Sequence, residues 1–128
     1  MKIWMWLAVA VGGSVGAMLR YGISGWVQKH STTTFPWGTV AVNVLGCLLM
    51  GVLAKLLMES SLVRPEYRVA ILVGVLGALT TFSTFSYEAL SLAGAGQLGQ
   101  AAGYVLLTNL GCLSAVWVGY RLAIRLSS

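Results

Sequence analysis

The residues best able to do chemistry in this chain are concentrated in one short string. Between Thr80 and Ser86 stand five hydroxyls (Thr80, Thr81, Ser83, Thr84, Ser86) and two phenylalanines, Phe82 and Phe85, with Gly74 and Gly77 just before and Glu88 just after. One or two hydroxyls in a helix can satisfy themselves on backbone carbonyls. Five together after two glycines predict a locally broken helix, with carbonyls free to hold a cation and N–H groups free to hold an anion. Phe82 and Phe85 are three apart and share a helical face. Their electropositive ring edges can attract an anion.

Two further polar files accompany this string. Thr39, Asn43, Cys47, Gly51 and Lys55 recur every four residues, so one helical stripe carries the two N–H donors and one acceptor of Asn43. Tyr104, Thr108 and Cys112 recur at the same spacing and set a hydroxyl, a hydroxyl and a thiol in line, while Asn109 points elsewhere. Arg20 closes an apolar run and can reach water or draw anions into a vestibule. Catalytic sets are not in evidence. The one His, His30, lies in a polar connector, Glu88 is the one acid within a span, and two cysteines make neither a metal cluster nor a disulfide framework. An enzyme is not expected.

These groups must be positioned by elements suited to lipid. The 128 residues include only 8 Lys+Arg and 3 Asp+Glu, with 58 % hydrophobic residues. Eleven charges cannot cover the surface of a soluble domain of this size. The net charge of +5 is scattered between apolar runs, which argues against nucleic acid as a partner. Four uncharged runs, Ile3–Leu19, Phe35–Ala54, Val69–Tyr87 and Ala101–Tyr120, contain 17, 20, 19 and 20 residues. A spanning helix needs about 17–25. The expected fold is an all-α membrane protein in which residues 1–128 form a single four-span domain, with spans at about 3–26, 35–57, 69–92 and 101–124 and the third helix broken at mid-membrane.

Several local features fit this plan. The hydrophobic stretch continues past Ala8-Val9-Ala10, so a true first span is preferred to a signal peptide. Gly94-Ala95-Gly96-Gln97-Leu98-Gly99 matches a dinucleotide-binding pattern but follows no strand, and reads as a flexible turn. Trp4, Trp6, Trp26 and Trp37 fall near span ends as interfacial anchors. Gly12 with Gly16, Cys47 with Gly51, and Gly111 with Ala115 and Gly119 have the spacing of close helix packing. One side of the bundle carries Lys2, Lys55, Arg64, Arg68, Arg121 and Arg125, against Lys29 and at most Arg20 on the other, which favours cytoplasmic termini.

Three of these segments together resemble the bacterial fluoride channel family known as Fluc or CrcB. They are Gly12 to Tyr21 (GGSVGAMLRY), Gly38 to Gly46 (GTVAVNVLG), and Thr80 to Ser86 (TTFSTFS) with Glu88. The resemblance extends over the whole chain in length and span count. It implies a passive, multi-pass channel of the bacterial plasma (inner) membrane that exports fluoride, built as an antiparallel dual-topology dimer with two pores at the subunit interface. It implies a central sodium ion held by the backbone carbonyls of Gly77 and Thr80 from each subunit. Phe82 and Phe85 would turn ring edges to fluoride, and Asn43 would donate its amide. Tyr104, Thr108 and Cys112 would form a polar track, Arg20 would attract anions at the mouth, and Thr39, Ser83, Thr84 and Glu88 would complete the fluoride pathway.

Two positions depart from the family pattern. Ala78 stands where a second glycine is usual, and Cys112 where a serine is expected. The bias of basic residues also sits awkwardly with dual topology. A homodimer is favoured over an obligate heterodimer with an oppositely oriented paralogue. The other transport class considered, a small proton-coupled multidrug exporter, needs an acid in the first span, and none is there.

Overall fold

A computed structural model of the chain describes residues 2–128. It is all-helical: α1 (Ile3–His30), α2 (Trp37–Glu59), α3 (Pro65–Val69), a π-helical stretch (Ala70–Leu76), α4 (Gly77–Leu79), α5 (Phe82–Gly94) and α6 (Leu98–Leu126). Four segments, Ile3–His30, Trp37–Glu59, Pro65–Gly94 and Leu98–Leu126, are long and apolar enough to cross a membrane. Each extends past its uncharged run. The polar flanks carry no helix breaker until Ser31, Ser60, Ala95-Gly96 and Ser127. The helical flanks hold themselves with local pairs: His30 Nδ1 with the Trp26 carbonyl at 2.8 Å, and Lys55 with Glu59 one turn on. Gly96, at φ +77°, makes the turn between α5 and α6, where only glycine adopts the left-handed conformation cheaply.

Glycines set the packing distances. The only buried residues of α1 are Gly12 and Gly16. A Cβ on Gly12 would stand 2.2 Å from the Ala70 carbonyl oxygen, and one on Gly16 would stand 2.1 Å from that of Val75. α1 therefore lies backbone to backbone against the π-helical stretch. The largest helix–helix interface joins α2 to α6. There Gly51 meets the Val116 carbonyl and Gly119 meets the Leu48 carbonyl, each at 2.2 Å from the ideal Cβ position. In lipid this close approach, with its dispersion contacts, takes the place of a hydrophobic driving force.

The interior is small. One cluster joins Val40, Phe85, Leu92, Ala101 and Tyr104, and a second joins Val42, Leu76 and Leu79. Much of the apolar surface faces outward, including Trp4, Trp6, Trp26 and Trp117.

Candidate functional site: the discontinuity in the third apolar segment

α4 ends at Leu79 and α5 begins at Phe82. Thr80 (φ −87°, ψ 155°) and Thr81 (φ −151°, ψ 122°) between them are extended. Polar side chains of α2 and of the gap itself hold it. Asn43, only 6 % exposed on α2, accepts from the Thr81 N–H through Oδ1 at 2.8 Å and donates from Nδ2 to the Thr81 carbonyl at 3.2 Å. The Thr81 hydroxyl caps α5 by accepting from the Thr84 N–H at 3.2 Å. That is the role a threonine three residues ahead of a helix's first free N–H commonly plays. Gly46 makes room for Thr80, since a Cβ there would lie 2.2 Å from Thr80 Cγ2. Thr80 fastens itself to the end of the π-helical stretch, where its N–H and its hydroxyl both donate to the Leu76 carbonyl, at 3.1 and 3.0 Å.

This wiring releases two carbonyls. In an unbroken helix the Gly77 carbonyl would accept from the Thr81 N–H and the Thr80 carbonyl from the Thr84 N–H. Those donors are spent on Asn43 Oδ1 and Thr81 Oγ1 instead. Gly77 is also exposed, with open space where a Cβ would be apart from the Leu72 oxygen at 3.9 Å. The neighbouring Ala78 methyl turns the other way, toward Gly16, and so does not intrude on the gap.

Below the gap is a cavity of about 220 Å³. Asn43, Thr80, Phe82, Phe85, Thr108 and Cys112, all expected to act together, do line it. Phe82 and Phe85 lie 5.3 Å apart with ring planes at 46°. They differ sharply in setting: Phe85 is 6 % exposed and Phe82 75 %. Phe85 also packs on Tyr104 at 5.2 Å. Thr108 is 5 % exposed, and among the described residues its hydroxyl has no hydrogen-bond partner. A helical threonine can usually bond the carbonyl one turn back. Here it stays free on the cavity wall, although leaving a buried hydroxyl unmatched costs about 1–3 kcal/mol.

Tyr104 and Glu88 form a different constellation. The buried Tyr104 hydroxyl donates to Glu88 Oε2 at 2.6 Å, and the Thr39 hydroxyl donates to Glu88 Oε1 at 2.9 Å. Thr39 and Glu88 both face a wider, open cavity of about 530 Å³. Thr39 also borders a third cavity of about 720 Å³, which holds Arg20 and Thr84. Ser83 stays near the gap, its hydroxyl 3.4 Å from that of Thr81. Asn109 donates to the Val105 carbonyl of its own helix at 2.7 Å, yet its residue borders the small cavity.

Sequence reasoning left out three residues that the structure makes important. Thr81 was one hydroxyl among five, although the Thr81-x-x-Thr84 spacing is a legible capping signal. Cys47 shares the small cavity with Cys112. Gln28 accepts from the Gly38 N–H at 3.1 Å and donates to the Phe35 carbonyl at 3.1 Å, tying the end of α1 to the start of α2. Nothing local to Gln28 signals that contact.

The family described as CrcB-like protein, Camphor Resistance (CrcB), matches residues 7–120. A protein of Hahella chejuensis named fluoride-specific ion channel FluC is 49 % identical over 114 residues, covering 89 % of this chain and 90 % of that one. A protein of the same name from Sulfurovum sp. is 45 % identical over 126 residues, covering 98 % of each chain. One from Stutzerimonas stutzeri is 47 % identical over 119 residues, covering 93 % of this chain and 96 % of its own. The chain belongs to the CrcB-like family.

Proposed function

We propose that the chain is a fluoride-selective ion channel, not an enzyme, and that it lets fluoride leave the bacterial cytoplasm passively across the inner membrane. The relatives named fluoride-specific ion channel support the ion's identity. The observation that carries the assignment to this site is the free Thr108 hydroxyl, buried beside Phe82 and Phe85 on the wall of the small cavity. Fluoride is small and strongly hydrated, so a conduit must replace its water with donors. A hydroxyl without a partner can donate at once, and two aromatic ring edges add weak electropositive contacts. Several weak sites in file let an ion enter and leave. Arg20, on the cavity of about 720 Å³, concentrates anions at one mouth.

Tyr104 and Thr39 contribute differently from Thr108. Each hydroxyl has a single proton, and both protons are given to Glu88. They can serve an anion only by letting go of the carboxylate. Asn43 has one amide proton beyond the Thr81 bond, and that proton is its contribution to the pathway. The multidrug-exporter alternative would have to run on Glu88, whose two oxygens are already engaged.

The same reading calls for a second copy of the chain in antiparallel orientation. Gly77, Phe82, Ser83 and Thr84 of the third apolar segment are all exposed. Hydroxyls and free carbonyls at membrane depth are tolerated only where protein or a watery cavity covers them. A copy related by a two-fold axis would cover them and supply an identical set. The released carbonyls of Gly77 and Thr80 suit sodium, a hard cation that prefers oxygen. Two from each subunit would hold it as a structural ion, tying the two gaps together.

The assignment is tested with the purified chain in liposomes loaded with fluoride. Phe82→Ile and Phe85→Ile should each abolish fluoride efflux while the protein elutes from size exclusion as the wild type does. Wild-type efflux in both variants would refute the placement of the pathway. Tags on both termini should report two orientations in the membrane, and a single orientation would refute the homodimer.

A further inference from the structure

Cys47 and Cys112 are the chain's two cysteines, and both are free and half-buried. They sit on α2 and α6, the pair of helices with the largest mutual interface, and both line the 220 Å³ cavity. The adjoining register brings them opposite each other. Gly111 meets Val44 one step away, and Gly51 meets Val116 one turn further on. The orphaned Thr108 hydroxyl, one turn from Cys112, opens on the same space.

We propose that Cys47 and Cys112 form a two-coordinate site for a soft divalent d¹⁰ cation of the mercury type, on the wall of the ion pathway. Among the described residues, no group of three His, Cys, Asp or Glu gathers to bind a metal. Ions that demand four ligands, such as zinc, are therefore not served. A soft d¹⁰ ion accepts two thiolates in a line and needs no third ligand. Thiolate is the ligand form, and soft metals select it. Binding removes one proton from each thiol: a divalent ion and two S–H groups yield a bis-thiolate and two H⁺. That product has no net charge. The bundle interior thus avoids the cost of holding an isolated charge, which is about 2.5–3.5 kcal/mol on insertion scales. The bound ion would occupy space that Thr108, Phe82 and Phe85 also border, so its presence obstructs anion passage. This last consequence rests on the channel reading; the binding itself does not.

The test uses the purified full-length chain and Hg²⁺ as probe, with thiols counted by a chromogenic disulfide reagent and metal by elemental analysis. One Hg²⁺ per chain should remove both thiols together. Its retention against a competing monothiol should exceed that of Cys47→Ser or Cys112→Ser on the order of 100-fold, as expected when a second ligand is already in place. Two ions per chain, one thiol still titratable, thiols lost with no metal bound, or equal retention in the single variants would each overturn the site. In fluoride-loaded liposomes one equivalent should slow efflux by the wild type and leave the double serine variant unaffected. Unchanged wild-type efflux at full occupancy would overturn the placement on the pathway. Absence of efflux before any metal is added would instead refute the channel reading, with the binding count still deciding the site.

Discussion

Asn43→Ala should loosen the gap at Thr80 and Thr81 far more than the loss of one side chain suggests. Asn43 makes two hydrogen bonds to the backbone of a single residue 38 positions away, at 2.8 and 3.2 Å, and is almost wholly buried. A net contribution of about 1 kcal/mol per bond would give about 2 kcal/mol. The Thr81 N–H is then left buried without an acceptor, and an unmatched group costs about 1–3 kcal/mol by itself. The sum is about 3–5 kcal/mol, and its lower end is a shift of roughly 150-fold in the folding equilibrium. Relief is available by one route: Thr81 N–H can return to the Gly77 carbonyl and close the helix, at the expense of the released oxygens. Asn43→Ala should therefore lower stability by about 2–3 kcal/mol in denaturant titration of the detergent-solubilised protein. It should also speed hydrogen exchange at the Thr81 N–H, which loses its acceptor. Asn43→Asp keeps the acceptor and sets an oxygen against the Thr81 carbonyl, so it should retain only part of the wild-type stability. A loss under about 0.5 kcal/mol for Asn43→Ala would refute the claim that this amide holds the gap.

Three other outcomes follow from particular contacts. Thr81→Ala removes the cap of α5 and should cost about 1 kcal/mol in the same titration, with Thr81→Ser recovering most of it. Tyr104→Phe keeps the ring against Phe85 and Phe35 but takes the hydroxyl from Glu88, for about 1.5–3 kcal/mol and an altered fluoride flux. Gly51→Ala puts a Cβ 2.2 Å from the Val116 carbonyl and should destabilise the α2–α6 interface by about 1–3 kcal/mol or prevent folding, measured by thermal loss of the monodisperse peak.

Much of the architecture could be read before any coordinates. Four uncharged runs of spanning length predict four long apolar helices, because burial in lipid leaves charge density as a strong signal. Within the hydroxyl string at Thr80 to Ser86, Thr80 and Thr81 have extended dihedrals. The small-residue spacings at Gly12, Gly16, Gly51 and Gly119 marked positions where backbones touch. What stayed hidden is non-local. That Thr39 and Tyr104 both hold Glu88 depends on contacts 49 and 16 residues apart, and no periodicity encodes them. Asn43 read as a free amide beside the path, yet most of its bonding capacity goes to Thr81. The π-helical stretch Ala70–Leu76 has no compositional mark, since Ala-Ile-Leu-Val-Gly-Val-Leu is as apt for an ordinary α-helix. Ala78 stands where the family usually has a glycine, and only the crossing of α1 shows its methyl directed at Gly16.

The central claim is that this small bundle conducts fluoride through uncharged donors and ring edges rather than through its eleven charges. It is tested most directly by comparing fluoride and chloride efflux from liposomes that contain the purified wild-type chain. Rapid loss of fluoride with chloride retained is the predicted result. Retention of fluoride by liposomes containing well-folded protein, or equal loss of both ions, would contradict the account.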